Sequence, residues 1–184
     1  MDEGTTATAL KRIETPLRLT LAGLWAERAT RAFWPWWSIS LAVLAAAAFG
    51  LQDSLPLEAA WFGMVASVLG WIWALVHGLR TFRRPTRTEA LVRLDAKLPG
   101  QPIAALLDTQ AIGITDAASQ AVWAAHRARM AARAATAKPV EPDLKLASRD
   151  PFALRYVALT ALVMAMLFGS IWRVTTVSGL TPGG

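Results

Sequence analysis

The chain has 184 residues, 54% of them hydrophobic, with a net charge of +6 and a mean hydropathy of +0.36. The lack of cysteine excludes disulfides, thiolate nucleophiles and Cys-ligated metals. Nineteen Lys and Arg against thirteen Asp and Glu raise the question of an anionic partner, and the placement of the charge decides which kind.

Residues 1–14 are polar, and Thr15-Pro16 then reads as a helix N-cap followed by Pro at the first helical position. Beyond it Leu17, Leu21, Leu24 and Trp25 recur at helical spacing, opposite Arg18, Glu27, Arg28 and Arg31. This pattern predicts an amphipathic interfacial helix within residues 1–33, lying on the inner leaflet before the chain turns in at Trp34-Pro35-Trp36-Trp37. The alternative is that this segment is the first part of the spanning helix, extended into the cytoplasm.

Three apolar stretches follow, at residues 34–51, 57–79 and 152–174, each 18 to 23 residues long. As helices they would measure roughly 27–34 Å, about the thickness of a hydrocarbon core, so each is expected to span a membrane. About 33 residues precede the first stretch, Glu14 and Glu27 among them, and no small-residue cleavage site closes it; a cleaved signal peptide is not expected. Five basic residues lie before the first span, thirteen between Arg80 and Arg155, and none in the 52–56 turn. By the positive-inside rule the N-terminus and residues 80–151 are cytoplasmic, while the turn and the 175–184 tail are periplasmic. The basic excess is accounted for by topology and anionic headgroups, without nucleic acid.

Only five residues join the first two spans, which predicts a tight hairpin over 34–79. Small residues recur four apart: Ser38, Ala42, Ala46 and Gly50; Ala66, Gly70, Ala74 and Gly78; Ala161, Ala165 and Gly169. Such ladders let backbones approach where apolar burial no longer drives association, and they are the expected helix-packing seams. Trp34, Trp36 and Trp37 belong at the inner interface, Trp61 and Trp172 near the outer one. Trp71 and Trp73 lie deeper, so an indole N–H there needs a polar partner, and a bundle or partner interface is the expected use.

The basic segment opens with Arg80, Arg83, Arg84 and Arg87, placed to meet headgroups or a partner. Thr86-Arg87-Thr88-Glu89 fits a capping box before a short helix with Ala90, Leu91, Leu94 and Leu98 on one face. Pro99-Gly100-Gln101-Pro102 ends it, and an irregular stretch runs through Gly113. Thr115 or Asp116 caps a second helix to about Thr136, with His126, Arg127, Arg129 and Arg133 as a basic stripe. Residues 138–150 read as an extended return, and Asp150-Pro151 repeats the cap-plus-Pro signal before the third span. So few large apolar side chains make a sizeable core unexpected, and a small helical hairpin leaning on the membrane or a partner is the expectation.

No catalytic, cofactor or metal site is expected. The two histidines, His77 and His126, stand on different elements, and nothing like H-E-x-x-H or a phosphate-binding Gly-rich loop is present. A single axial ligand at His77 is geometrically permitted, but a lone interfacial His is more often hydrated. Ser119 and His126 would stand two turns apart, roughly 10 Å, beyond hydrogen-bond reach. The span interiors hold no ionisable side chains of the kind an ion pathway needs.

The block from Thr88 to Asp108, the helix piece from Trp123 to Arg133 and the stretch from Ser148 to Arg155 follow in this order between the second and third apolar runs. In order and spacing they resemble the N-terminal region of the alphaproteobacterial membrane proteins catalogued as domain of unknown function 4175. The resemblance covers about Leu17 to Trp172 and implies two or three spans in a bacterial inner membrane, followed in family members by a long extracytoplasmic region. It carries no established activity and no functional residues. The present sequence stops ten residues after the third run, so a function in that later region would lie outside it. The expectation is an all-α protein acting as a non-enzymatic inner-membrane anchor or scaffold, with anionic lipid and a membrane protein as partners and no small-molecule substrate. The alternative is an accessory subunit of a respiratory or photosynthetic complex.

Overall fold

The computed structural model describes residues 2–108, 116–148, 150, 152–170 and 172–174, with the backbone alone at 2–7, 9 and 10. The expectations at 109–113, Thr115, Pro151 and the 175–184 tail lie outside the described residues. Within them the chain is helical, without a strand: α1 (Asp2–Phe49), α2 (Leu51–Ser54), α3 (Leu57–Thr81), α4 (Arg87–Asp95), α5 (Pro102–Leu107), α6 (Ala117–Ala134) and α7 (Leu154–Phe168). Two units divide it, one of Met1–Arg28 with Arg84–Asp143 and one of Ala29–Arg83 with Leu144–Gly184.

In the first unit the N-terminal half of α1 supplies the apolar mass that residues 84–143 lack. Ile13, Leu17 and Leu24 are buried with Ala90, Leu94, Ile103, Leu106, Met130, Ala131 and Ala134 in one cluster. The expected interfacial helix is corrected here, because Leu17 and Leu24 pack into a protein core. The expected cap at Thr15-Pro16 is also corrected: α1 runs unbroken through Pro16 and Pro35 for 48 residues. Each proline removes the amide that would bond four residues back, at the Arg12 and Arg31 carbonyls. Burial of the face that continues across Pro16, from Ile13 to Leu17, Thr20 and Leu24, offsets that loss.

The expected capping box closes on α4: Thr86 Oγ1 accepts from Glu89 N at 3.2 Å, and Thr86 N donates to the Glu89 carboxylate at 3.3 Å. α5 falls inside the stretch expected to be irregular. It is held by Asp95, whose buried carboxylate accepts from Ile103 N at 2.8 Å and Ala104 N at 3.0 Å, satisfying the free amides of its first turn. Gly100, at φ 81°, and Gln101, at φ 45°, are the left-handed residues of the connecting turn. With α5 present, the described residues of the segment form three helices, packed with part of α1, rather than the expected hairpin. α6 starts as expected at Asp116, which accepts from Ser119 N at 2.9 Å and Ser119 Oγ at 2.6 Å. These bonds, the hydroxyl first, hold its carboxyl below the ordinary value of 3.8.

Charge pairs tie α1 to α4. Glu27, buried, accepts from Arg93 Nη1 at 2.8 Å and from Asp143 N at 3.1 Å. Arg28 meets Glu89 at 2.7 Å and Arg87 meets Glu14 at 2.7 Å.

In the second unit α1 reverses into α3. Gly50, at φ 75°, ends α1, and α2 fills most of the expected 52–56 turn. Farther from the turn Ser40 meets Trp71, and nearer the other end of α3 Phe33 lies against Gly78 and Phe82, as an antiparallel hairpin requires. α7 runs beside α1 in the same direction. Arg31 bonds the Leu144 carbonyl, Ala165 packs on Ala45 and Ala48, and Ser170 N donates to the Ala48 carbonyl at 3.0 Å. α7 has 15 residues, which rise only about 22 Å. Its start also departs from the expected cap. Asp150 holds the first turn from four residues upstream, accepting from Leu154 N at 2.8 Å and Arg155 N at 3.2 Å, while Ala153 takes φ 53°.

Candidate functional site

The second unit has no enclosed centre among its described residues; what it presents is surface. Large apolar side chains along α3 stand outward, with Phe62 76% and Trp73 63% exposed, although α3 carries only Glu58 and Arg80 as charged residues. A soluble helix of this composition would bury such side chains against other elements.

The small-residue ladders divide into used and open parts. Ala74 and Gly78 are buried, and a Cβ on Gly78 would stand 2.6 Å from the Phe33 ring. Ala165 is fully buried against Ala45 and Ala48, and a Cβ on Gly169 would stand 2.5 Å from the Ala48 carbonyl oxygen. Ser38 and Gly50 are buried, Ala46 and Ala161 half-buried. Ala42 and Ala66 are exposed, and half-buried Gly70 has open space at its Cα. Ala45 and Ala48, the residues α7 rests on, are missing from the predicted ladder. In a run as Ala-rich as 42–48 several one-residue registers look alike, and only the neighbour selects among them. Beside this contact Ser38, Ala42, Ala46, Leu154, Val157 and Ala161 line an open apolar groove of about 440 Å³.

The aromatic residues gather at the other end of the hairpin. Trp36 lies 4.7 Å from Trp37 and 5.3 Å from Trp71 between ring centroids. The Trp71 indole N–H has the polar partner its depth demands: it donates to Ser40 Oγ at 3.0 Å, and Ser40 in turn donates to the Trp36 carbonyl at 2.8 Å. Trp36 Nε1 is buried without an acceptor among the described residues. Trp34 is half-buried and Trp37 is 55% exposed. Trp73 stacks on His77 at 5.5 Å, and the stacked pair faces outward with both members exposed. Arg80 and Arg83 are exposed at the end of this unit. In the first unit Arg84 is exposed, and Arg87 is engaged by Glu14.

Arg173 closes the opposite end. Its Nη1 donates to the Phe49 carbonyl at 3.2 Å, and Gln52 Nε2 donates to the Arg173 carbonyl at 3.0 Å. A cation at the C-terminus of α1 is where the helix dipole favours one. Gly50 leaves room for it, since a Cβ there would stand 2.5 Å from Arg173 Nη1.

Among the described residues Ser119 and His126 are not brought together. Ser119 is bonded to Asp116, and His126 lies on Trp123 at 5.7 Å. Among the described residues no three His, Asp or Glu side chains gather as metal ligands.

The described residues therefore define an all-α protein with two helices, within Lys11–Phe49 and Leu57–Thr81, long and apolar enough to cross a membrane, and a shorter apolar helix at Leu154–Phe168. The sequence profile of the Domain of unknown function (DUF4175) matches residues 12–183, nearly the whole chain, and the chain belongs to that family. No curated protein and no solved structure matches it.

Proposed function

We propose that the chain is a non-enzymatic, three-span anchor of the bacterial inner membrane, holding a membrane-protein partner or an extracytoplasmic region through its apolar helices. The observation that carries the reading is α3: 25 residues, strongly apolar, with most of its large side chains facing outward. In hydrocarbon that surface needs no cover, whereas in water it would aggregate. The parallel course of α7 beside α1, opposite to α3, supports a third crossing with the C-terminal end outside. α7 by itself, at about 22 Å, is shorter than the roughly 30 Å of a hydrocarbon core. The basic count on residues 80–155 supports a cytoplasmic N-terminus. Ala42, Ala66 and Gly70, open on the span surfaces, are where a partner helix would approach closely.

Single cysteines test the topology without interference, because the chain has none of its own. In spheroplasts a membrane-impermeant maleimide should label Ser54→Cys and Ser178→Cys directly, and Ser148→Cys only after permeabilisation. Labelling of Ser148→Cys in sealed cells would overturn the orientation. Function is tested by gentle extraction through an N-terminal tag and native mass spectrometry. A constant companion protein, or a longer chain with an extracytoplasmic region, is expected. A solitary chain with neither would refute the anchor, and fixed stoichiometry within an electron-transfer complex would replace it by the accessory-subunit reading.

A further inference from the structure

The first unit holds a feature that anchoring does not use. An open cavity of about 430 Å³ lies between the end of α4 and the segment after α6, a size within the ordinary range of small-molecule sites. Leu94, Leu98 and Val140 form its apolar floor, and Lys97 and Lys138 stand on its walls. Arg133 reaches toward the same turn from α6. Its Nη1 stands 3.1 Å from the point where a Cβ on Gly100 would be, so the guanidinium lies over the backbone at Gly100, three residues beyond Lys97. A glycine at that point leaves room for it.

Three other cations of the unit are engaged. Arg28, Arg87 and Arg93 each meet a carboxylate. The side chains of Lys97, Arg133 and Lys138 make no ion pair or hydrogen bond among the described residues, and Glu141, the carboxylate on the cavity wall, pairs with none of them. Unpaired like charges gathered at one cavity repel one another, and an anion placed between them reverses that term. An apolar floor beneath the charges selects further, because a hydrated inorganic ion gains nothing from Leu98 and Val140, whereas an alkyl chain covers them.

We propose that this cavity binds an anionic amphiphile, a single-chain alkyl phosphate or carboxylate whose head meets Lys97 and Lys138 and whose chain lies on Leu98 and Val140. Arg133 adds positive potential at the head. The site is independent of the anchoring role and stands or falls without it.

Octyl phosphate titrated into the full chain in phosphatidylcholine nanodiscs, followed by calorimetry after subtraction of empty discs, is the direct test. One saturable site is expected, with inorganic phosphate binding at least tenfold more weakly and octanol giving no saturable binding. The K97Q/K138Q pair should weaken octyl phosphate at least tenfold. K11Q/R12Q, which removes the same charge from an exposed stretch of α1, should change it less than twofold. Absence of saturable binding, or equal loss in the two double variants, would overturn the proposal; the second result would mean general attraction to a basic protein. Repeating the titration in phosphatidylglycerol discs distinguishes the sources of the ligand. Competition that depends on Lys97 and Lys138 identifies a bilayer headgroup at this cavity, and unchanged affinity identifies a free amphiphile.

Discussion

Replacing Glu27 by Ala removes the carboxylate that joins three parts of the first unit: α1, α4 through Arg93, and the return segment through Asp143 N. The Glu27 side chain is 9% exposed and that of Arg93 26%, so water reaches the guanidinium in part, and its Nη2 still donates to the Glu141 carbonyl at 3.2 Å. A hydrogen bond to a charged group contributes about 1.5–3 kcal/mol, and those from Arg93 and Asp143 N are lost, but rehydration of Arg93 returns some of that; a net loss of about 2–3 kcal/mol follows. The effect is local, so it is best read by hydrogen exchange of the full chain in nanodiscs, peptide by peptide. Amides of α4 and of residues 138–143 should exchange about 30- to 150-fold faster, while those of α3 keep their rates. Glu27→Gln, which keeps an acceptor but loses the charge, should cost about 1 kcal/mol. In a double-mutant cycle Arg93→Ala should add little to Glu27→Ala, with a coupling of about 1–2 kcal/mol. Rates within threefold of the parent chain in Glu27→Ala, or additive single effects, would refute the reasoning, because the pair would then be a surface contact that water replaces.

Leu94→Ala empties the centre of the same cluster, where Leu94 is fully buried, and should destabilise the first unit by about 2–5 kcal/mol, seen as collective loss of exchange protection in α4, α5 and α6. Gly78→Ala drives a methyl into the Phe33 ring and should cost about 1–3 kcal/mol, read as faster exchange at residues 76–84, whereas Gly70→Ala, with open space around it, should not. Because the Asp116 carboxyl is depressed below its ordinary value of 3.8, its support of α6 is complete above that value and is lost as pH falls through the lowered one. Amide protection at Ser119, measured by NMR, should therefore weaken in that acid window in the parent chain, and Asp116→Asn should show no such step.

Local and periodic information was legible in the sequence. The capping box at Thr86 and Glu89, the start of α6 at Asp116 and the need of Trp71 for a polar partner each depend on a few neighbouring residues or on depth within an apolar run, and each is met in the structure. The helical class follows from the same source, because runs of about 20 apolar residues can satisfy their backbone in lipid only as helices or closed barrels. What the sequence could not disclose depends on residues far apart in the chain. Pro16 reads as a helix start until Ile13, Leu17 and Leu24 are seen buried together on a face that crosses it. α5 has little periodicity of its own, and a carboxylate seven residues before it holds its first turn. The Ala45 and Ala48 seam is one register among several until α7 lies on it. Composition and spacing thus determined that this chain is helical and apolar along two long elements. Which face of α1 is buried, and against what, was decided by tertiary structure alone, because the same apolar stripe gains free energy in a lipid interface or in a protein core, and only the partner brought against it selects between them.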